Sequence, residues 1–181
     1  MDGASGTVGR RVLVIGMSGS GKSTFSRALS TQTGLPLIHL DLYYWQPGWV
    51  RPTQDQWQQI QRDLFTSDDW IADGNYYESL EIQLERAQTV VVLNTPWWIC
   101  SSRAFRRGLR RPGGVMPEGC TDSVRRRLRD EWGMVGRIWL VRRSDPEQAR
   151  EMVLRHGPHV VQYVLKTKRA AKELLSKLND D

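Results

Sequence analysis

Cysteine is scarce in this chain of 181 residues, with only Cys100 and Cys120, and histidine is nearly as rare with three. Two cysteines do not make a disulfide framework, and they read as reduced thiols of a cytoplasmic protein. No unbroken apolar run is long enough to span a bilayer, so no membrane partner is expected. The leader from Met1 to Gly9 lacks the apolar centre of a signal peptide. Residues 1–10 are expected to form a flexible tail and residues 11–181 one domain. Repeats, low-complexity linkers, helix-turn-helix patterns and zinc modules are all missing. What remains is an ordinary globular composition, 39% hydrophobic and 25% charged.

The charge balance is less ordinary. The formal net charge is +6 and the sequence pI about 9.7. The arginines crowd between Arg103 and Arg143, with Arg103, Arg106, Arg107, Arg110, Arg111, Arg125, Arg126, Arg127 and Arg129 close together. So dense a cluster calls for an anionic partner, and a polyphosphate would satisfy it as well as nucleic acid.

Short apolar runs alternate with longer amphipathic stretches, the pattern of a parallel sheet with crossover helices. Strands are expected at Arg11–Ile15, Leu37–Leu40, Trp70–Ala72, Thr89–Leu93 and His159–Leu165. Helices are expected at Lys22–Thr33, stopped by Gly34, at Gln54–Phe65, from Pro96 to about Arg110, from Thr121, and at Ala170–Leu178. In the helix from Thr121, Val124, Leu128, Trp132, Val135 and Trp139 share one face, and most tryptophans read as core. The expected fold class is therefore α/β, built on a parallel sheet.

Gly16-Met-Ser-Gly-Ser-Gly21-Lys22-Ser23 fits G-x-x-x-x-G-K-[ST] in full. Glycines let the backbone curl so that successive N–H groups point at one anion, and the helix starting near Lys22 adds its positive end. Gly16, Ser18, Gly19, Ser20 and Gly21 are thus expected to cradle the phosphates of ATP. Lys22 would reach the β and γ phosphates, Ser23 would ligate Mg²⁺, and Thr24 is a lesser candidate for the α phosphate.

In open parallel sheets, ligands lie beyond the carboxyl ends of the strands. Asp41 ends the second expected strand and Asp73 the third. Asp41 would take the proton of an acceptor hydroxyl or hold the acceptor, and Asp73 would hold Mg²⁺ as Walker-B acids do. The plain alternative for each is a turn or N-cap aspartate. His39, inside an apolar run, reads as a core histidine. After Asp41 come Tyr43, Tyr44, Trp45, Trp49 and Arg51, which either clamp a flat or phosphorylated acceptor or simply pack under a long loop. The arginines flank a loop rich in glycine and proline, Arg111–Gly119. That suggests a lid that closes over the triphosphate and expels water. Arg103 and Arg107 are the expected nucleotide contacts, and Arg107 and Arg110 the charges delivered to the transferred phosphoryl.

Together these residues resemble the FlaR-like "DNA topology modulation protein" group, relatives of adenylate kinase. The resemblance runs from Arg11 to Leu178. It rests on the P-loop, His39-Leu-Asp41 with Trp45-Gln-Pro-Gly-Trp49, Trp70-Ile-Ala-Asp73-Gly74-Asn75-Tyr76, Pro96-Trp97-Trp98, the arginine helix and Met116-Pro-Glu-Gly-Cys120. It implies a kinase-like, three-layer P-loop NTPase fold with a five-stranded parallel sheet, and ATP-dependent phosphoryl transfer. The arginine-rich lid over about 103–129 completes the expected domain. The Phe-Pro-Arg that follows Asp-Gly in adenylate kinases is Asn75-Tyr76-Tyr77 here, so their acceptor arginine is absent at that spot. The leading expectation is a cytoplasmic kinase that transfers the ATP γ-phosphoryl to a small acceptor such as a nucleoside or nucleotide. The alternative is an ATP-hydrolysing regulator associated with nucleic acid.

Overall fold

Five short strands rich in β-branched residues pair side by side, all parallel, in the order β2-β3-β1-β4-β5. They are β1 (Arg11–Ile15), β2 (Leu37–His39), β3 (Trp70–Asp73), β4 (Thr89–Leu93) and β5 (Val161–Leu165). The computed structural model describes the backbone of residues 8–109, 120, 124–141 and 144–178, and the side chains of these except 108–109, 124–131 and 144–146. The glycine- and proline-rich segment and Arg110 lie outside the described residues, as do the side chains of Arg125, Arg126, Arg127 and Arg129.

Alternation along β1 sends side chains to two different cores. Val12 and Val14 pack with Phe25 and Leu29 of α1 (Lys22–Thr33) and Leu174 of α8 (Lys168–Lys177). Leu13 and Ile15 pack on the opposite face with Trp57 of α3 (Gln54–Leu64), Leu80 and Leu84 of α4 (Leu80–Arg86), and Ala149 and Val153 of α7 (Ser144–His156). A central strand covered on both faces reads as an unbroken apolar run for this reason. Each such side chain taken fully from water contributes roughly 1.5–3 kcal/mol. Helix ends are set locally. Gly34 sits at φ 71 and donates its N–H to Ser30 O, while Thr53 and Gln56 form a reciprocal capping box at α3.

Several expected boundaries move. β2 stops at His39, because the chain turns into a short helix, α2 (Leu40–Tyr44), so Asp41 lies in a helical first turn and not at a strand end. α4 and α7 were not expected at all. β5 begins at Val161 and α8 at Lys168. α5 (Trp97–Leu109) and α6 (Val124–Val141) pack against each other, and the inward stripe of α6 matches the expected face only in part. Trp132 is 60% exposed and Trp139 52%, whereas Ile138 is buried and joins Met17, Cys100 and Ala104 in a small third core. Met134 and Val135 pack against that core and supply the inward stripe. Trp98 is exposed too, so it is not a core residue.

Candidate active site

The β1–α1 loop is shaped by glycines in conformations that other residues avoid. Gly16 has φ 145 and Gly19 φ 80. A Cβ on Gly16 would lie 2.6 Å from the Leu93 carbonyl oxygen, and one on Gly19 2.5 Å from that of Cys100. Only glycine lets the loop approach the ends of β4 and α5 so closely. The loop is then pinned from outside. Thr95 Oγ1 donates to the Ser20 carbonyl at 3.0 Å, and Arg103 Nη1 donates to the carbonyls of Gly19 and Ser20, both at 3.0 Å. Arg107 Nη2 donates to Ser18 Oγ at 3.4 Å. Lys22 folds back across the loop, its Nζ donating to the carbonyls of Gly16 at 2.6 Å and Met17 at 3.1 Å. Among the described residues, the backbone N–H groups of Gly19, Gly21 and Ser23 donate to no other group. These donors stand at the positive end of α1, where an anion is favoured. Thr24 instead uses its N–H in a turn onto the Gly21 carbonyl at 3.1 Å.

The expected arginine face divides. Arg103 and Arg107 reach the glycine loop, while Arg106 Nε donates to Ser102 O of its own helix at 3.4 Å. Arg110 lies outside the described residues.

Two carboxylates stand at the carboxyl edge, in contrasting surroundings. Asp73 ends β3 and is 4% exposed. The β2–β3 register sets His39 directly opposite it, and His39 Nδ1 lies 3.2 Å from Asp73 Oδ2. The alignment is not that of a hydrogen bond, and Oδ2 accepts none among the described residues. His39 is therefore a neighbour of the site acid, not the core histidine its apolar run suggests. Asp41 is exposed, and Tyr76 donates its hydroxyl to Asp41 Oδ1 at 2.6 Å. Burial, with the Asp41 charge next in importance, holds the Tyr76 phenol well above its ordinary value, so it stays protonated and donates. The Tyr76 ring is fixed by Tyr44, 4.6 Å away, and Trp57, 4.9 Å away. Tyr76 thus links the turn after β3 to Asp41 of α2. Its position after Asp73-Gly74-Asn75 was the only sequence signal for it.

Among the described residues, no three His, Cys, Asp or Glu side chains gather into a metal cage. Ser23 and Asp73, whose Oδ2 is buried and unbonded, offer oxygens of the kind that magnesium takes one or two of from a protein. No helix among the described residues is long and apolar enough to cross a membrane. Cys100 and Cys120 are both buried thiols outside any disulfide.

No family model matches the chain, and no curated protein does. Solved structures do match. A shikimate kinase from Acinetobacter baumannii, in complex with shikimate, is 18% identical with a TM-score of 0.54, covering 92% of this chain and 89% of that one. A shikimate kinase from Bacteroides thetaiotaomicron is 14% identical with a TM-score of 0.51, covering 94% and 96%. The chain has the P-loop kinase fold of these proteins, with its sheet and flanking helices.

Proposed function

We propose that this protein is an ATP-dependent P-loop kinase that phosphorylates a hydroxyl group of a small acceptor. One observation carries the reading: a glycine loop with open N–H donors and a folded-back lysine shares the sheet edge with one buried and one exposed carboxylate. A purely structural turn would need neither Lys22 nor two acids beside it. The likeness to two small-molecule kinases of the same fold supports the reading, as does the resemblance to the FlaR-like group.

The assignments follow from chemistry. Gly16 and Ser18 to Thr24 bind the phosphates, with Lys22 on the β and γ groups. Ser23 and Asp73 hold Mg²⁺. Arg103 braces the loop from behind and Arg107 supplies charge beside it, with Arg110 in the same role at the transferred phosphoryl. Bound Mg–ATP supplies the phosphoryl group and the metal charge that neutralises it. Asp41 orients the acceptor hydroxyl and receives its proton, and the Tyr76 hydroxyl keeps the Asp41 carboxylate in one orientation. The arginine-rich lid excludes water so that the acceptor, not solvent, is phosphorylated.

A labelled-ATP transfer screen over nucleosides, nucleotides, sugars and small hydroxy acids tests this, run on the wild type and on Asp73→Asn. Transfer to at least one acceptor, with Asp73→Asn weakening the magnesium dependence and the transfer together, is expected. Slow hydrolysis with no acceptor stimulation, or an Asp73→Asn variant equal to wild type, would overturn it.

A further inference from the structure

The loop between α2 and α3 stacks an arginine on a tryptophan. The Arg51 guanidinium lies over the Trp45 ring, its carbon 5.3 Å from the ring centroid. Trp45 is held in turn by Trp49, 5.7 Å away at an interplanar angle of 66°. Two consecutive left-handed residues, Gly48 at φ 75 and Trp49 at φ 66, fold the loop back so that this contact forms. Left-handed backbone at a tryptophan is disfavoured, and such conformations gather at ligand sites. A bridge between Gln46 and Val50 closes the turn, and Cys120 Sγ donates to the Gln46 carbonyl at 3.3 Å.

Arg51 is exposed and makes no hydrogen bond or ion pair with another described residue. An aromatic face holds the guanidinium without neutralising it, so its planar fork of donors stays available. The same ring system leads to Asp41. Trp45 meets Tyr44 at 5.2 Å, Tyr44 meets Tyr76 at 4.6 Å, and the Tyr76 hydroxyl sits on the Asp41 carboxylate. One contiguous aromatic wall therefore carries an anion at one end and an unpaired cation at the other. A molecule lying along it presents a neutral hydroxyl to Asp41, which repels negative charge, and its own negative charge to Arg51.

We infer that the phosphoryl acceptor is a hydroxylated anion, bearing a carboxylate or a phosphate monoester, and that Arg51 reads this charge. The inference rests on the kinase reading, but Arg51 acts on acceptor choice and not on ATP.

The test uses the full chain with magnesium and a non-hydrolysable ATP analogue, so that the glycine loop is filled. Calorimetry compares gluconate with glucose and ribose 5-phosphate with ribose, in wild type, Arg51→Ala and Arg51→Lys. The wild type binds the charged member of at least one pair about tenfold or more tightly. The pair that shows the preference tells carboxylate from phosphate. Arg51→Ala abolishes the preference and leaves binding of the ATP analogue unchanged, and Arg51→Lys keeps part of it through charge without the fork. In the transfer assay, Arg51→Ala raises KM for the charged acceptor with kcat changed little. Equal binding of both members of both pairs by wild type, or an Arg51→Ala variant that keeps the preference, overturns the inference. Transfer to a neutral acceptor that ignores Arg51 removes the inference and leaves the kinase reading standing. Arg51-dependent anion binding without any ATP turnover does the reverse.

Discussion

The two ends of the candidate site are built from different materials. On the phosphate side, backbone does the shaping. Gly16 and Gly19 press against the carbonyls of Leu93 and Cys100, and Arg103 and Thr95 pin the loop by its carbonyls. On the proposed acceptor side, side chains do it, with Asp41 on a short helix, Trp45 and Arg51 in the loop after it, and Tyr76 in the turn after β3. A backbone cradle accepts one ligand chemistry and resists change, since altering it disturbs the fold. A side-chain wall can be altered residue by residue while the sheet stays in place. Under the proposed kinase reading, the phosphate side specifies the class of reaction and the acceptor side the partner in it.

The sharpest way to break this division is Asp41→Asn. Transfer is expected to fall roughly 10²- to 10⁴-fold, the usual contribution of a general base. ATP affinity, measured by calorimetry, stays close to wild type. An equal loss of ATP binding would place Asp41 on the phosphate side. Next comes Gly19→Ala, which sets a Cβ against the Cys100 carbonyl in a left-handed backbone. The loop must shift, so ATP affinity is expected to drop on the order of tenfold to a hundredfold, with a lowered Tm. Unchanged binding would mean that the close approach is not needed.

Gln61→Ala serves as a control that belongs to neither side. Gln61 is fully buried, donates to Ser79 Oγ and accepts from Gln83 Nε2 at 2.6 Å. Its loss takes a buried partner from each neighbour, leaving Ser79 only its bond to the Tyr76 carbonyl, and should cost about 2–4 kcal/mol in denaturant unfolding. Acceptor KM is expected to stay the same. The smallest effect is Tyr76→Phe, which keeps the ring packing and removes one hydrogen bond to a carboxylate. Transfer is expected to fall about tenfold with ATP affinity intact. A loss as large as that of Asp41→Asn would make the tyrosine hydroxyl itself a participant.

The same contrast explains what could be read in advance. β1, the glycine loop and α1 were legible because each depends on neighbours within a few residues: an apolar run, glycines at fixed spacing, and Gly34 as a stop. The end of β2 was less so. Leu37-Ile-His39-Leu reads as strand throughout, but Leu40 starts a helical turn that packs on the core, and Asp41 goes with it. His39 could be recognised as a neighbour of Asp73 only from the pairing of β2 with β3. Tyr76 reaches Asp41 across 35 residues and Arg103 reaches Gly19 across 84, distances over which no local pattern operates. α4 and α7 were missed because their buried stripes are thin: Leu80 and Leu84 in one, Ala149 and Val153 in the other. In α6 Val135 faces the core as its spacing implies, but Ile138 and Met134 complete the inward stripe in place of the exposed Trp132 and Trp139.

The central claim is that the glycine loop holds a triphosphate through Lys22. Its most direct test is a calorimetric titration of Mg–ATP into the wild type and into Lys22→Ala, after melting curves establish that both are folded. The wild type should bind, and the variant should bind on the order of 10²- to 10³-fold more weakly, as expected when one partner of a hydrogen-bonded charge pair is removed. Equal affinity in the two proteins, or no binding by the wild type, would contradict the account.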